Sequence, residues 1–126
     1  ARPRDPALPT LYTPRRSLVR VSMNIVWLAD DRRLGRPVAI KILPSNLAGD
    51  HALQERFVRE ARLAASLAHP NVVPVHEVEE HAGQLLYVMG YVDGETLGAR
   101  LARGGPLPVG EALRVLRDVA WALAYA

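Results

Sequence analysis

Val38-Ala39-Ile40-Lys41-Ile42-Leu43 is the stretch on which the reading of this chain turns. It is apolar at every position but one and predicts a buried β-strand. The exception, Lys41, is the only lysine among 126 residues, in a chain that uses arginine at its other fifteen basic positions. An ammonium inside such a strand costs on the order of several kcal/mol unless a charged group meets it. Arginine, a broad planar fork, does not replace a compact point charge where a phosphate is gripped at one place. Two explanations stand at this point. Either Lys41 meets a charged partner, or it lies at a strand edge and its head snorkels to water.

The next segment offers the partner. Asp50 is a good helix N-cap, and Leu53, Phe57, Ala64 and Leu67 follow at spacings that form one apolar stripe, with Pro70 ending the helix. Glu60 falls on that stripe, three residues after Phe57 and four before Ala64. A carboxylate on a core-facing helix and an ammonium on a core-facing strand are each costly alone, and packed together they satisfy one another. The spacing therefore predicts a Lys41–Glu60 pair across a strand–helix interface. The alternative places Glu60 at the stripe edge, paired with Arg56 one turn earlier.

The rest of the chain sets the frame. Its length suits one domain or part of one. Hydrophobic residues make up 49% and charged residues 23%, the balance of a globular protein. A net charge of +3, with arginines spread through the chain and no interleaved aromatics, argues against a nucleic-acid face. Cysteine is absent, which excludes disulfides and thiolate metal sites and fits the reducing cytoplasm. The four histidines show no metal-ligand spacing, and His51 and His81 read as loop residues. No apolar run reaches the length of a membrane span. The chain starts at Ala1 and stops at Ala126 inside an apolar helical pattern, as a fragment would.

Residues 1–16 hold four prolines and four arginines and read as an extended, poorly ordered lead-in. Ser17–Ser22 and Ile25–Ala29 read as short strands joined by a tight turn at Met23-Asn24. With the lysine strand they make an antiparallel meander. After the helix, Val72–Val78 reads as a strand that Pro74 confines to an edge or bulge. His81-Ala82-Gly83-Gln84 is a turn, Leu85–Val92 an apolar strand, Thr96–Ala102 a short helix, and a last helix opens near Pro108. Three strands, a helix, two strands and then helices define an α+β fold, a five-stranded sheet with one helix packed on it.

Several of these segments, in this order, resemble the protein kinase family, most nearly its bacterial serine/threonine kinases. Val38-Ala39-Ile40-Lys41 is similar to the family's third-strand signature, and Glu60 lies where the glutamate of its helix C falls. His69-Pro70-Asn71-Val72-Val73 resembles the junction after that helix, and Tyr87 to Gly94 resembles the fifth strand, gatekeeper and hinge. Pro108 to Ala126 resembles helix E. The resemblance implies a kinase N-lobe and hinge over residues 17–92, with the start of a C-lobe over 93–126. It implies ATP as ligand: Lys41 on the α- and β-phosphates, Glu60 fixing Lys41, Val26 and Ala39 as adenine walls, and Met89 as gatekeeper. Backbone groups of Gly90 and Val92 would meet the adenine edge. Gly90 stands where the family commonly has glutamate, which a backbone contact tolerates.

Two departures qualify this. The family's phosphate loop runs Gly-x-Gly-x-x-Gly-x-Val, and here its glycine positions are Val19, Val21 and Asn24. Glycine lets amides approach phosphates closely, and valine does not, so the cradle is expected to be impaired. The catalytic base and the magnesium ligands of the family lie beyond helix E, after residue 126, so neither activity nor a metal site is expected of this chain alone. A protein substrate and magnesium belong to the longer parent. Two functional classes follow: the ATP-binding part of a serine/threonine kinase, or a pseudokinase-like interaction module with little nucleotide binding. Leu113, Leu116, Ala120 and Leu123 line one face of the last helix, and that face predicts self-association.

Overall fold

A computed structural model of the chain describes residues 6–21, 24–43 and 49–126. Five strands form one antiparallel sheet: β1 (Tyr12–Val21), β2 (Asn24–Asp31), β3 (Arg36–Leu43), β4 (Val75–His81) and β5 (Gln84–Gly90). Their spatial order is β1-β2-β3-β5-β4, which puts the lysine strand at the centre. Helix α1 (His51–Ala65) connects β3 to β4, and α2 (Leu97–Gly104) and α3 (Val109–Tyr125) follow the sheet. The α+β arrangement expected from the sequence is the one observed.

Local chemistry sets the connections. The Asp31 carboxylate, almost wholly buried, accepts from the backbone N–H of Arg33 and Leu34 at 3.0 and 3.1 Å, closing the β2–β3 turn with Gly35 at φ +63°. Ala82 and Gly83 both take positive φ between β4 and β5, as the tightest hairpins require. Asp50 caps α1 by accepting from Ala52 and Leu53.

Alternation splits the sheet into two faces. On one lie Trp27, Ala29, Val38, Ile40, Ile42, Leu86 and Val88, with Tyr12 from β1, and Leu8 and Leu11 pack against them. On the other, Leu43, Leu85 and Tyr87 pack with Phe57 and Ala61 of α1. Lys41 belongs to this second face.

Several boundaries differ from those expected. The lead-in is not unstructured up to residue 16, because β1 begins at Tyr12 and Leu8 and Leu11 cover the sheet. Pro14 fits inside β1 because the strand is an edge and its register is irregular there. Residues 1–5 lie outside the described residues. Asn24 belongs to β2, paired with Val21, rather than to the turn. Helix α1 ends at Ala65, capped by Ser66, so Leu67 and Pro70 lie beyond it, and its buried residues are Phe57 and Ala61. The fourth strand starts after Pro74 rather than running through it, and the fifth stops at Gly90. The lead-in has a measurable consequence. A Leu8→Ala/Leu11→Ala variant is expected to lose about 1–3 kcal/mol of stability, since each partly buried leucine gives up a fraction of its burial. A urea midpoint equal to that of the unmodified chain would show that the segment contributes nothing.

Candidate functional site

Directly paired residues of an antiparallel ladder point to the same side of the sheet. Val26, Lys41 and Tyr87 form one such row across β2, β3 and β5, and Leu28, Ala39 and Met89 form the next. Val26, Ala39 and Met89 therefore share the face of Lys41, beside α1. Val26 and Ala39 are buried, and Met89 packs against the cluster of Phe57, Ala61 and Tyr87.

The Lys41 Nζ donates to Glu60 Oε1 at 2.5 Å. This is the pair anticipated from the two sequence periodicities, and Glu60 turns to Lys41 rather than to Arg56. Its setting is asymmetric. The Lys41 side chain is 10% exposed and that of Glu60 is 48%, so the carboxylate stands at the rim of the core rather than within it. The ammonium is desolvated while the carboxylate keeps part of its hydration, which lessens the combined penalty of burying an ion pair.

A third group, to which the sequence reading gave no role, completes the cluster. Tyr87 Oη donates to the same Glu60 Oε1 at 2.9 Å. Its ring lies 5.0 Å from that of Phe57, centroid to centroid, and 5.5 Å from Lys41 Nζ. The signal was available: alternation along β5 puts Tyr87 two residues from Met89, on the same face. Burial works to raise the Glu60 pKa, but the hydrogen bonds from Lys41 and Tyr87, with the charges of Lys41 and Arg56, outweigh it and hold the carboxyl below its usual range. Burial, then the Glu60 carboxylate, pushes the Tyr87 phenol above its ordinary value.

The remaining expected residues lie at and after the end of β5 and along β1. Gly90 ends β5, and its N–H donates to the Pro74 carbonyl at 2.9 Å. A Cβ at Gly90 would stand 3.3 Å from the Pro74 ring, a tight contact that a small shift of the ring would relieve. Val92 follows, 67% exposed. Val19 and Val21 do not form a loop: they pair with Val26 and Asn24 in a continuing ladder. Ser22 and Met23 lie outside the described residues. No cluster of three metal-ligating side chains occurs among the described residues.

Beyond the sheet, Asn71 Nδ2 donates to the Asp118 carbonyl at 2.9 Å, and the His69 and Tyr125 rings lie 5.3 Å apart. The segment between α1 and β4 is thereby tied to α3.

A central lysine strand, a docked helix supplying its carboxylate, and trailing helices tied to the α1–β4 connection are the parts of a protein kinase N-lobe and the first part of its C-lobe. The chain belongs to the protein kinase family: residues 20–126 match the family described as protein tyrosine and serine/threonine kinase. Serine/threonine-protein kinase PrkC of Bacillus subtilis is 43% identical over 104 residues, 82% of this chain and 16% of that protein. PknB of Mycobacterium leprae is 45% identical over 107 residues, 82% of this chain and 17% of that protein. Crystal structures of the M. tuberculosis PknI kinase domain superpose with a TM-score of 0.76 at 38% identity, covering 92% of this chain and 47% of that domain. The chain thus spans under one fifth of these two kinases and about half of a kinase domain.

The depressed Glu60 pKa makes stability depend on pH. A carboxyl whose folded pKa lies below its unfolded value contributes fully above the unfolded value, and the contribution fades as pH falls through the folded one. The difference in stability between the unmodified chain and Glu60→Gln is expected to be present at pH 7 and to vanish on acidification below the usual glutamate range, about pH 4. Because Glu60 is half exposed, it should not exceed about 1 kcal/mol. Denaturant titrations of both chains from pH 7 to pH 3 check this. A difference that persists unchanged at pH 3 would contradict it.

Proposed function

We propose that this chain is the ATP-binding part of a serine/threonine protein kinase whose full length transfers phosphoryl groups to protein serine or threonine. The observation that carries this reading is the Lys41–Glu60 pair, set on the sheet face that also bears Val26, Ala39 and Met89. A lysine held rigidly by a carboxylate presents a positioned ammonium to phosphate oxygens. Beside it, Val26 and Ala39 give an apolar surface for a purine, Met89 bounds that surface, and the Gly90 carbonyl with the Val92 backbone meets the adenine edge. Lys41 takes the α- and β-phosphates and Glu60 keeps it aligned.

Magnesium, when bound, would neutralise phosphate charge in this reaction, and in the family its ligands, like the catalytic base and the surface that meets the protein substrate, come after helix E. The residues of this chain bind and orient. They do not move the phosphoryl-acceptor proton. A reaction that consumes ATP, in a chain without cysteine, fits the cytoplasm. No helix among the described residues is long and apolar enough to cross a membrane.

One observation favours a second reading, a pseudokinase-like interaction module. Val19 and Val21 extend the β1–β2 ladder through positions where the family uses glycine. A valine at position 19, paired with Val26, holds the backbone in the sheet and brings a Cβ where glycine would leave room for phosphate oxygens. The unmodified chain is therefore expected to bind ATP weakly, and the Val19→Gly/Val21→Gly/Asn24→Gly variant about tenfold more tightly, the equivalent of one regained charge-assisted hydrogen bond. Isothermal calorimetry with ATP and magnesium measures both. Tight binding without a gain from glycine would refute this account of the loop, and no binding by either chain would favour the interaction module.

The same reading makes α3 the family's helix E, which packs against the rest of a C-lobe of which this chain holds only the first part. Leu113, Leu116, Leu123 and Trp121 are each more than 60% exposed. Each large apolar side chain left in water forgoes roughly 1.5–3 kcal/mol of burial, so this chain alone is expected to self-associate through α3. Sedimentation should show dimers or larger species that disappear when residues 108–126 are removed. A monomeric full chain would overturn the expectation.

A further inference from the structure

The exposure of Glu60 raises a question that the ion pair alone does not answer. A carboxylate at the rim, with half its surface in water, has solvent as an alternative partner, and burial does not hold it inward. Its two protein donors come from different strands: Lys41 on β3 and Tyr87 on β5, converging on one oxygen. They differ in rigidity. Lysine is a flexible stem with a freely rotating head. Tyr87 is a two-torsion ring, 4% exposed, fixed by contact with Phe57 and by its place in the central ladder beside Lys41.

Phe57 and Glu60 are one turn apart on α1 and meet the same residue of β5, the first through the ring and the second through the hydroxyl. Two points of contact on one rigid side chain define how α1 is rotated against the sheet. We propose that Tyr87 is a positioning residue that holds Glu60 over Lys41, with its hydroxyl as the latch that keeps the carboxylate inward. This rests on the reading of Lys41 as the phosphate-gripping ammonium, and it adds a division of labour. When phosphate oxygens compete for Lys41, the ammonium is shared and its hold on Glu60 loosens. The neutral Tyr87 hydroxyl has no attraction for that competition and keeps the carboxylate in place.

The solitary lysine makes the test unambiguous. A water-soluble carbodiimide activates a carboxylate, an adjacent amine displaces the activated group as a urea, and an amide results. In this chain the only side-chain amine is that of Lys41. Mass spectrometry of the digested chain, treated without nucleotide, should find the Lys41–Glu60 crosslink, and Glu60→Gln should abolish it. Tyr87→Phe keeps the ring on Phe57 and removes one oxygen. It should cut the yield about two- to tenfold, the range set by one hydrogen bond, and move the Glu60 carboxyl titration, followed by carbon NMR, to higher pH. Tyr87→Leu should fall to the same yield. A yield and titration in Tyr87→Phe equal to those of the unmodified chain, or a loss with leucine alone, would overturn the proposal and leave Tyr87 a packing residue. Since these readouts use no nucleotide, a failure of ATP binding would count against the nucleotide reading and leave this result standing.

Discussion

An ammonium in the central strand of an apolar sheet is the constraint around which this structure is organised. Lys41 has a paired neighbour on either side, Val26 and Tyr87, and neither carries a charge. Desolvating a charge in that position is costly, and the sheet has no means of its own to offset it. The carboxylate must arrive from another layer, so α1 has to dock with one face turned to β3 and β5. Phe57 and Ala61 supply the apolar part of that docking and Glu60 the charge. Fold and site are therefore one problem: the same helix face that buries Phe57 delivers the counter-charge.

The two faces of the sheet are closed in different ways, and the difference leaves room for chemistry. On the far face, Ile40, Leu86 and Val38 are wholly buried, and the segment around Leu8, Leu11 and Tyr12 packs there. Arg32 fastens this segment through the backbone, its N–H donating to the Leu11 carbonyl at 2.9 Å and its guanidinium to that of Thr10. On the near face, α1 covers only part of the sheet, and the rim beside it holds the half-exposed Glu60. One face is a sealed core. The other is a core with an edge, where the ammonium meets its half-exposed carboxylate.

Much of this was legible in the sequence because it rests on periodicity. Alternation in Val38–Leu43 and the stripe around Phe57 suffice to bring Lys41 and Glu60 together, and Asp50 marks the helix start. Two of the boundaries that differ turn on proline, which here neither ends an edge strand outright nor starts one. Pro14 lies in an edge strand, where its missing N–H is tolerated, so β1 reaches back to Tyr12. Pro74 precedes β4, yet its carbonyl accepts from Gly90, so the residue before the strand still joins the sheet. Ala61 escaped the stripe because a small side chain carries little hydrophobic signal, although it is wholly buried. Tyr87 escaped for a different reason. A tyrosine in an apolar run reads as core, and alternation gives the face it lies on but not the group its hydroxyl meets.

The valines at positions 19 and 21 express a conflict between two uses of the same hairpin. A strand edge gains from β-branched residues, which favour extended backbone and pair well across the ladder. A phosphate cradle needs the opposite: amides free of ladder partners and no Cβ in the way. Here the ladder continues, Val19 to Val26 and Val21 to Asn24, and Val26 is itself one of the apolar residues beside Lys41. The pairing that steadies Val26 thus comes from Val19, a position where the family has glycine. On the proposed nucleotide reading, such a hairpin would serve the purine side of the site at the expense of the phosphate side, and the burden of holding a nucleotide would fall on Lys41 and on the groups that keep Lys41 aligned.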